Sequence, residues 1–117
     1  MNLESVREYC LKKAAVTESL PFDDETLVFK VAGKMFALLS LNGDWGLNLK
    51  CNPEKAIELR EKYPEITPGY HMNKIHWNTL NLNGNLPENL VYELIDHSYI
   101  IIVESLSNKL KKEYHLY

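Results

Sequence analysis

The stretch "PGYHMNKIHW", residues 68–77, gathers side chains able to do chemistry: His71, Asn73, Lys74, His76 and Trp77 behind a Pro-Gly turn. Such residues can ligate a metal, supply a general base, or grip a polar or anionic partner through lysine, amide and aromatic ring. Metal ligation fails on spacing. Five residues apart, the two imidazoles fall on opposite faces of an extended chain and off a common stripe of a helix. Neither Cys10 nor Cys51 sits in a C-x-x-C pair, and Asp96-His97 is distant in sequence. The sequence therefore leads to an expectation of no metal and no cofactor.

Nucleophilic catalysis needs a serine or cysteine activated by a positioned base. Here the serines lie in polar connectors or near the C-terminal end, and His97-Ser98 adjacency alone does not supply the geometry. The carboxylates Asp23, Asp24 and Glu25 form a run typical of a solvated connector. Glycines are scattered singly, so no phosphate-cradling loop is present. The expectation is a protein that is not an enzyme, which leaves binding.

The elements that must position these groups follow from periodicity. Leu3, Val6, Cys10 and Ala14 make the apolar stripe of a first helix, ended by the polar connector "TESLPFDDE". Apolar runs at about 26–32, 34–41 and 45–51 read as three antiparallel strands, with Asn42-Gly43 as a tight hairpin signal. Asn52-Pro53 caps and opens a second helix, and Ala56, Leu59 and Tyr63 form its buried stripe. "IHWNTLNLNG" reads as a fourth strand, and Asn85 with Glu88 gives a capping-box pattern for a last long helix. Within it "YIIIVESL" fits either a continued helix or a break near Ser98. The order α-β-β-β-α-β-α defines an α+β fold: an antiparallel sheet packed by helices on one face, in a single domain over 1–117.

Strand alternation then sorts the site residues. If Leu47, Leu49, Leu80 and Leu82 face the core, Asn48, Lys50, Trp77 and Thr79 share the outer face, next to His71, Asn73 and Lys74. That face either stacks on bases and contacts phosphates, or Trp77 covers the sheet while Asn73 caps its turn.

Composition bounds the partners. Hydrophobic residues at 45% and charged ones at 25% are those of an ordinary globular protein. No apolar run approaches the roughly 20 residues that cross a bilayer, and "MNLESVREYC" lacks a signal-peptide pattern. The expected compartment is the cytoplasm, with both cysteines reduced and packed. Thirteen basic against sixteen acidic residues give a net charge of −3, yet Lys30, Lys34 and Lys50 make the segment 26–51 locally basic.

Four pieces of the chain, "PFDDETLVFKVAGKMFALL", "LNLK" before Asn52-Pro53, "PGYHMNKIHWNTL" and "LIDHSY", together resemble the MmcQ/YjbR family of small bacterial proteins. The resemblance implies a CyaY/frataxin-like fold and a DNA-binding role. Its signature falls on Lys50, Pro53, Gly69, Tyr70, His71, Met72, Asn73, Lys74, His76, Trp77, Ser98 and Tyr99. The chain departs from it at Asp23, where many relatives have glycine, and at Ile75, a position often basic. The leading expectation is a non-enzymatic DNA-binding or regulatory module. In it Lys30, Lys34, Lys50 and Lys74 would contact phosphates, with His71, Asn73, His76 and Trp77 near bases or sugars. The alternative is a protein- or small-ligand-binding module using the same surface.

Overall fold

A computed structural model describes residues 1–69 and 72–116. In chain order the elements are α1 (Leu3–Leu11), β1 (Val16–Ser19), β2 (Thr26–Val31), β3 (Lys34–Ser40), β4 (Gly46–Lys50), α2 (Pro53–Lys62), β5 (Ile66–Pro68), β6 (Trp77–Asn81), α3 (Glu88–Ser105) and α4 (Asn108–Glu113). The six strands form one antiparallel sheet in the order β1-β2-β3-β4-β6-β5. The expected α+β architecture is present, enlarged by two short edge strands and a final helix.

One face of the sheet carries the core. Phe29, Val31, Phe36, Ala37, Leu39, Leu47, Leu49 and Leu80 are buried against Val6 and Cys10 of α1, Ala56 and Leu59 of α2, and Val91, Leu94, Ile95 and Ile102 of α3. Phe36 and Ala37 are consecutive yet both point inward, because the β2–β3 register shifts between Phe29 and Lys30 and breaks the alternation there. The β3–β4 pairing ends at Ala37 opposite Leu49, next to Phe36 O and the Lys50 N–H. Ser98 on α3 serves both: its buried hydroxyl donates to Phe36 O at 2.6 Å and accepts from Lys50 N–H at 3.0 Å. α3 runs unbroken through "YIIIVESL".

Three local expectations change. Ala32-Gly33, both at positive φ between paired Val31 and Lys34, forms the tight two-residue turn. Asn42-Gly43 instead lies in a wider loop, where Asn42 Oδ1 accepts from Ser40 Oγ and Asp44 N–H. Asn85 does not cap α3; the N-cap is Pro87. Proline disfavours a helical conformation at the residue before it, so Leu86 cannot begin the helix. The Asn85 N–H donates to Glu65 Oε2. Asn52 does cap α2, accepting from the Glu54 and Lys55 N–H groups.

Candidate functional site

The opposite face of the sheet carries the candidate residues. In an antiparallel pair, directly opposed residues project to the same side. The register opposes Lys50 to Trp77, Asn48 to Thr79 and Gly46 to Asn81, then Leu38 to Asn48, Val28 to Leu38 and Thr26 to Ser40. The shared face of Asn48, Lys50, Trp77 and Thr79 read from alternation is thus present. Trp77, however, is only 8% exposed. Its indole packs with Val28 and Leu38 in a second small cluster, flanked by Met35 and Met72. That cluster contains no helical residue, so among the described residues the outer face is free of helix.

The turn leading into β6 is held by its own polar side chains. Gly69 N–H donates to Trp77 O at 2.7 Å, and a Cβ at Gly69 would sit 2.7 Å from Trp77 Cβ, a distance no side chain tolerates. Asn73 Oδ1 accepts from the Ile75 and His76 N–H groups, an Asx turn. The Lys74 ammonium donates to Gly69 O at 3.1 Å, and Arg60 of α2 donates to Lys74 O at 3.2 Å. Asn73 and Lys74 therefore brace the turn. His76 is exposed, and its carbonyl accepts from the Cys51 N–H. Tyr70 and His71 lie outside the described residues, so the part assigned to His71 is not addressed.

Two lysines share one end of this face: Lys30 opposes Met35 and Lys50 opposes Trp77. Lys34, expected beside them, opposes the core residue Val31 and so projects to the other side of the sheet. Lys30 and Lys50 are half-buried and Lys34 exposed. From Met35, opposite Lys30, a groove runs along the face to Thr26, four residues along β2 from Lys30 and about 13 Å at the usual strand rise. It encloses about 730 Å³. Met35, Leu38 and Met72 supply its apolar lining, Ser40, Asn48, Thr79 and Asn81 its polar one, and Phe22, Asp23, Glu25 and Asp44 complete it. Among the described residues, no lysine or arginine lines it.

The polar groups of the groove are ordered. Thr79 Oγ1 donates to Asn48 Oδ1 at 2.6 Å. Asp23 Oδ1 accepts from Glu25 N–H at 2.9 Å and Thr26 N–H at 2.8 Å. These backbone donors, led by that of Glu25, hold the Asp23 carboxyl below its ordinary range. Asp44 Oδ1 accepts from Gly46 N–H at 3.1 Å. The acids come from the β1–β2 and β3–β4 connections, which only the fold brings together. Sequence reasoning took Asp23, Asp24 and Glu25 as plain solvated surface.

Residues of the "LIDHSY" stretch serve the frame. Tyr99 donates to Ala14 O at 2.7 Å and meets Phe36 edge-on. His97 Nε2 accepts from Asn52 N–H at 3.2 Å, so its proton resides on Nδ1. Burial, with nearby Lys55 adding to it, lowers its pKa. Asp96 draws together the Tyr9 hydroxyl and the Lys13 ammonium. Among the described residues no group of three or more His, Cys, Asp or Glu side chains is placed to hold a metal.

Fold and site together define an α+β protein with one face of its sheet under helices and the other left as a surface. The YjbR family model matches residues 11–101, and the chain belongs to that family. It is 32% identical over 113 residues to the uncharacterized protein YjbR of Escherichia coli K12, covering 96% of each chain. With the uncharacterized protein YbdF of Escherichia coli O157:H7 it shares 37% identity over 110 residues, covering 93% of this chain and 90% of that one. The crystal structure of Deinococcus radiodurans protein DR2400, described as a DUF419 domain, superposes with a TM-score of 0.93 at 39% identity. That match covers 99% of this chain and 89% of the other. A crystal structure from Pseudomonas syringae matches with a TM-score of 0.75 at 34% identity, covering 86% and 98%. Among the described residues no helix is long and apolar enough to cross a membrane.

Proposed function

We propose that this protein is a non-catalytic binding module whose seat is the groove on the helix-free face of the sheet, and that the groove takes a small organic ligand. The observation that carries this reading is the groove itself: about 730 Å³ lined by apolar side chains together with ordered amide and hydroxyl groups. That is the size and chemistry of a site for a compact organic molecule. Ser40 Oγ donates to Asn42 Oδ1 and Thr79 Oγ1 to Asn48 Oδ1, which suits recognition better than nucleophilic attack. The test is an NMR screen of a metabolite-like collection against the full chain. Binding in the groove shifts the amides of Leu38, Asn48 and Thr79 and leaves those of α3 in place. A screen in which every hit shifts amides elsewhere overturns the reading.

The presence of Lys30 and Lys50 on the same face favours a second reading, a duplex DNA contact, which is what the family resemblance implies. Phosphate contacts make affinity fall steeply with salt. Labelled duplex titrated at two salt concentrations, against wild type and Lys30→Glu with Lys50→Glu, separates the readings. Binding that weakens with salt and is lost on charge reversal supports DNA, and binding indifferent to both removes it. Iron handling of the frataxin kind draws no support from α1, whose acids are Glu4 and Glu8, with Glu4 paired to Arg7 at 2.9 Å.

A further inference from the structure

Resting on the reading of the groove as a ligand seat, we infer that its ligand is an organic cation, a protonated amine carried on an apolar body. Three carboxylates from two separate connections, Asp23 and Glu25 on one side and Asp44 on the other, line one groove that, among the described residues, has no lysine or arginine in its lining. Two of them are fixed before any ligand arrives: Asp23 by the Glu25 and Thr26 N–H groups, Asp44 by the Gly46 N–H. Ordering acceptors in advance removes part of the entropic cost of binding.

An ammonium group offers three donors and no acceptor, which matches carboxylates and the amide oxygens beside them. Hydrogen bonds between ionised partners are about twice as strong as neutral ones. The same carboxylates repel phosphates and carboxylic acids, so the charge pattern selects as well as attracts. In the same groove Met35, Leu38 and Met72 present an apolar surface on which the thioethers can adapt to an irregular hydrocarbon or ring. Phe22, 65% exposed and also in the groove lining, contributes an aromatic ring suited to a cation. A ligand with its amine toward Asp23, Glu25 and Asp44 and its body on the two methionines satisfies both halves of the groove.

The experiment titrates the full chain with three probes that share a phenyl body and differ in the head group: phenethylammonium, 2-phenylethanol and 3-phenylpropionate. Amide shifts at Leu38, Asn48 and Thr79 report occupancy. The amine is expected to bind on the order of ten-fold more tightly than the alcohol, as one or two charge-assisted hydrogen bonds allow. The carboxylate is expected to bind more weakly than either. Glu25→Gln and Asp44→Asn, which keep an acceptor oxygen and remove the charge, should each weaken the amine several-fold and leave the alcohol unchanged. Equal binding of alcohol and amine at these amides, or tighter binding of the carboxylate, overturns the cation inference and leaves the ligand seat standing. If no probe moves these amides at millimolar concentration while other compounds in the screen do, the cation inference alone falls. If nothing in the screen moves them, both fall.

Discussion

The two faces of the sheet are built from the same strands and have opposite characters. On the inner face Phe29, Val31, Phe36, Ala37, Leu39, Leu47, Leu49 and Leu80 are buried under α1, α2 and α3. On the outer face, among the described residues, Val28, Leu38 and Trp77 form the buried cluster with Met35 and Met72 beside them, and around it lie amide, hydroxyl, lysine and carboxylate groups. Buried apolar area is what stabilises a domain of this size, and the inner face holds nearly all of it. The outer face is therefore free to vary its chemistry, and it does so along its length, with lysines at one end and carboxylates at the other.

That contrast breaks first under large truncations. Phe36→Ala removes a fully buried ring from the inner core and should cost about 3–5 kcal/mol in urea unfolding. Trp77→Ala, in a cluster with two buried partners, should cost less, about 2–3 kcal/mol. Equal losses would mean the outer cluster is as much a core as the inner one. A hydroxyl pair sharpens the comparison. Ser98→Ala strands Phe36 O and the Lys50 N–H and should cost about 1–3 kcal/mol, whereas Ser40→Ala on the outer face should stay within about 0.5 kcal/mol.

The smallest effects come from titrating groups. Burial pushes the Cys10 thiol up to about 12 and raises that of Cys51. Neither should be alkylated at mildly alkaline pH until urea opens the chain, and fast labelling of the native protein would contradict the inner-face packing. His97 is held neutral with its folded pKa below the ordinary 6.5. Its contribution is complete above that value, where Nε2 accepts from Asn52. It is lost as pH falls through the lower folded value, because the unfolded chain takes up the proton more readily. His97→Gln keeps an acceptor and should flatten that part of the pH–stability curve.

Much of the frame was legible in the sequence. Period-two alternation placed Asn48, Lys50, Trp77 and Thr79 on one face, and Asn52-Pro53 marked the start of α2, because these are local rules. β1 and β5 were missed since "VTES" and "ITP" are too short to show a period and exist only by pairing with β2 and β6. The start of α3 was misplaced because a proline at position 87 overrode the capping pattern at Asn85. The burial of Trp77 needed Val28 and Leu38, 49 and 39 residues away, to share its face. The acid rim of the groove needed two connections to meet, and no spacing along the chain announces that. Asn78 shows the same limit: it donates to Ala56 O from a buried site on β6, and its Oδ1 has no partner among the described residues.

The central claim is that the groove, and not the lysine end, is the seat. The direct measurement is ligand binding by Ser40→Trp, which places an indole in the groove from an outward position on β3 and leaves the lysines untouched. With hits from the NMR screen in hand, the account predicts that this variant loses them while keeping the wild-type thermal unfolding midpoint. Hits that bind the variant as well as the wild type would contradict it.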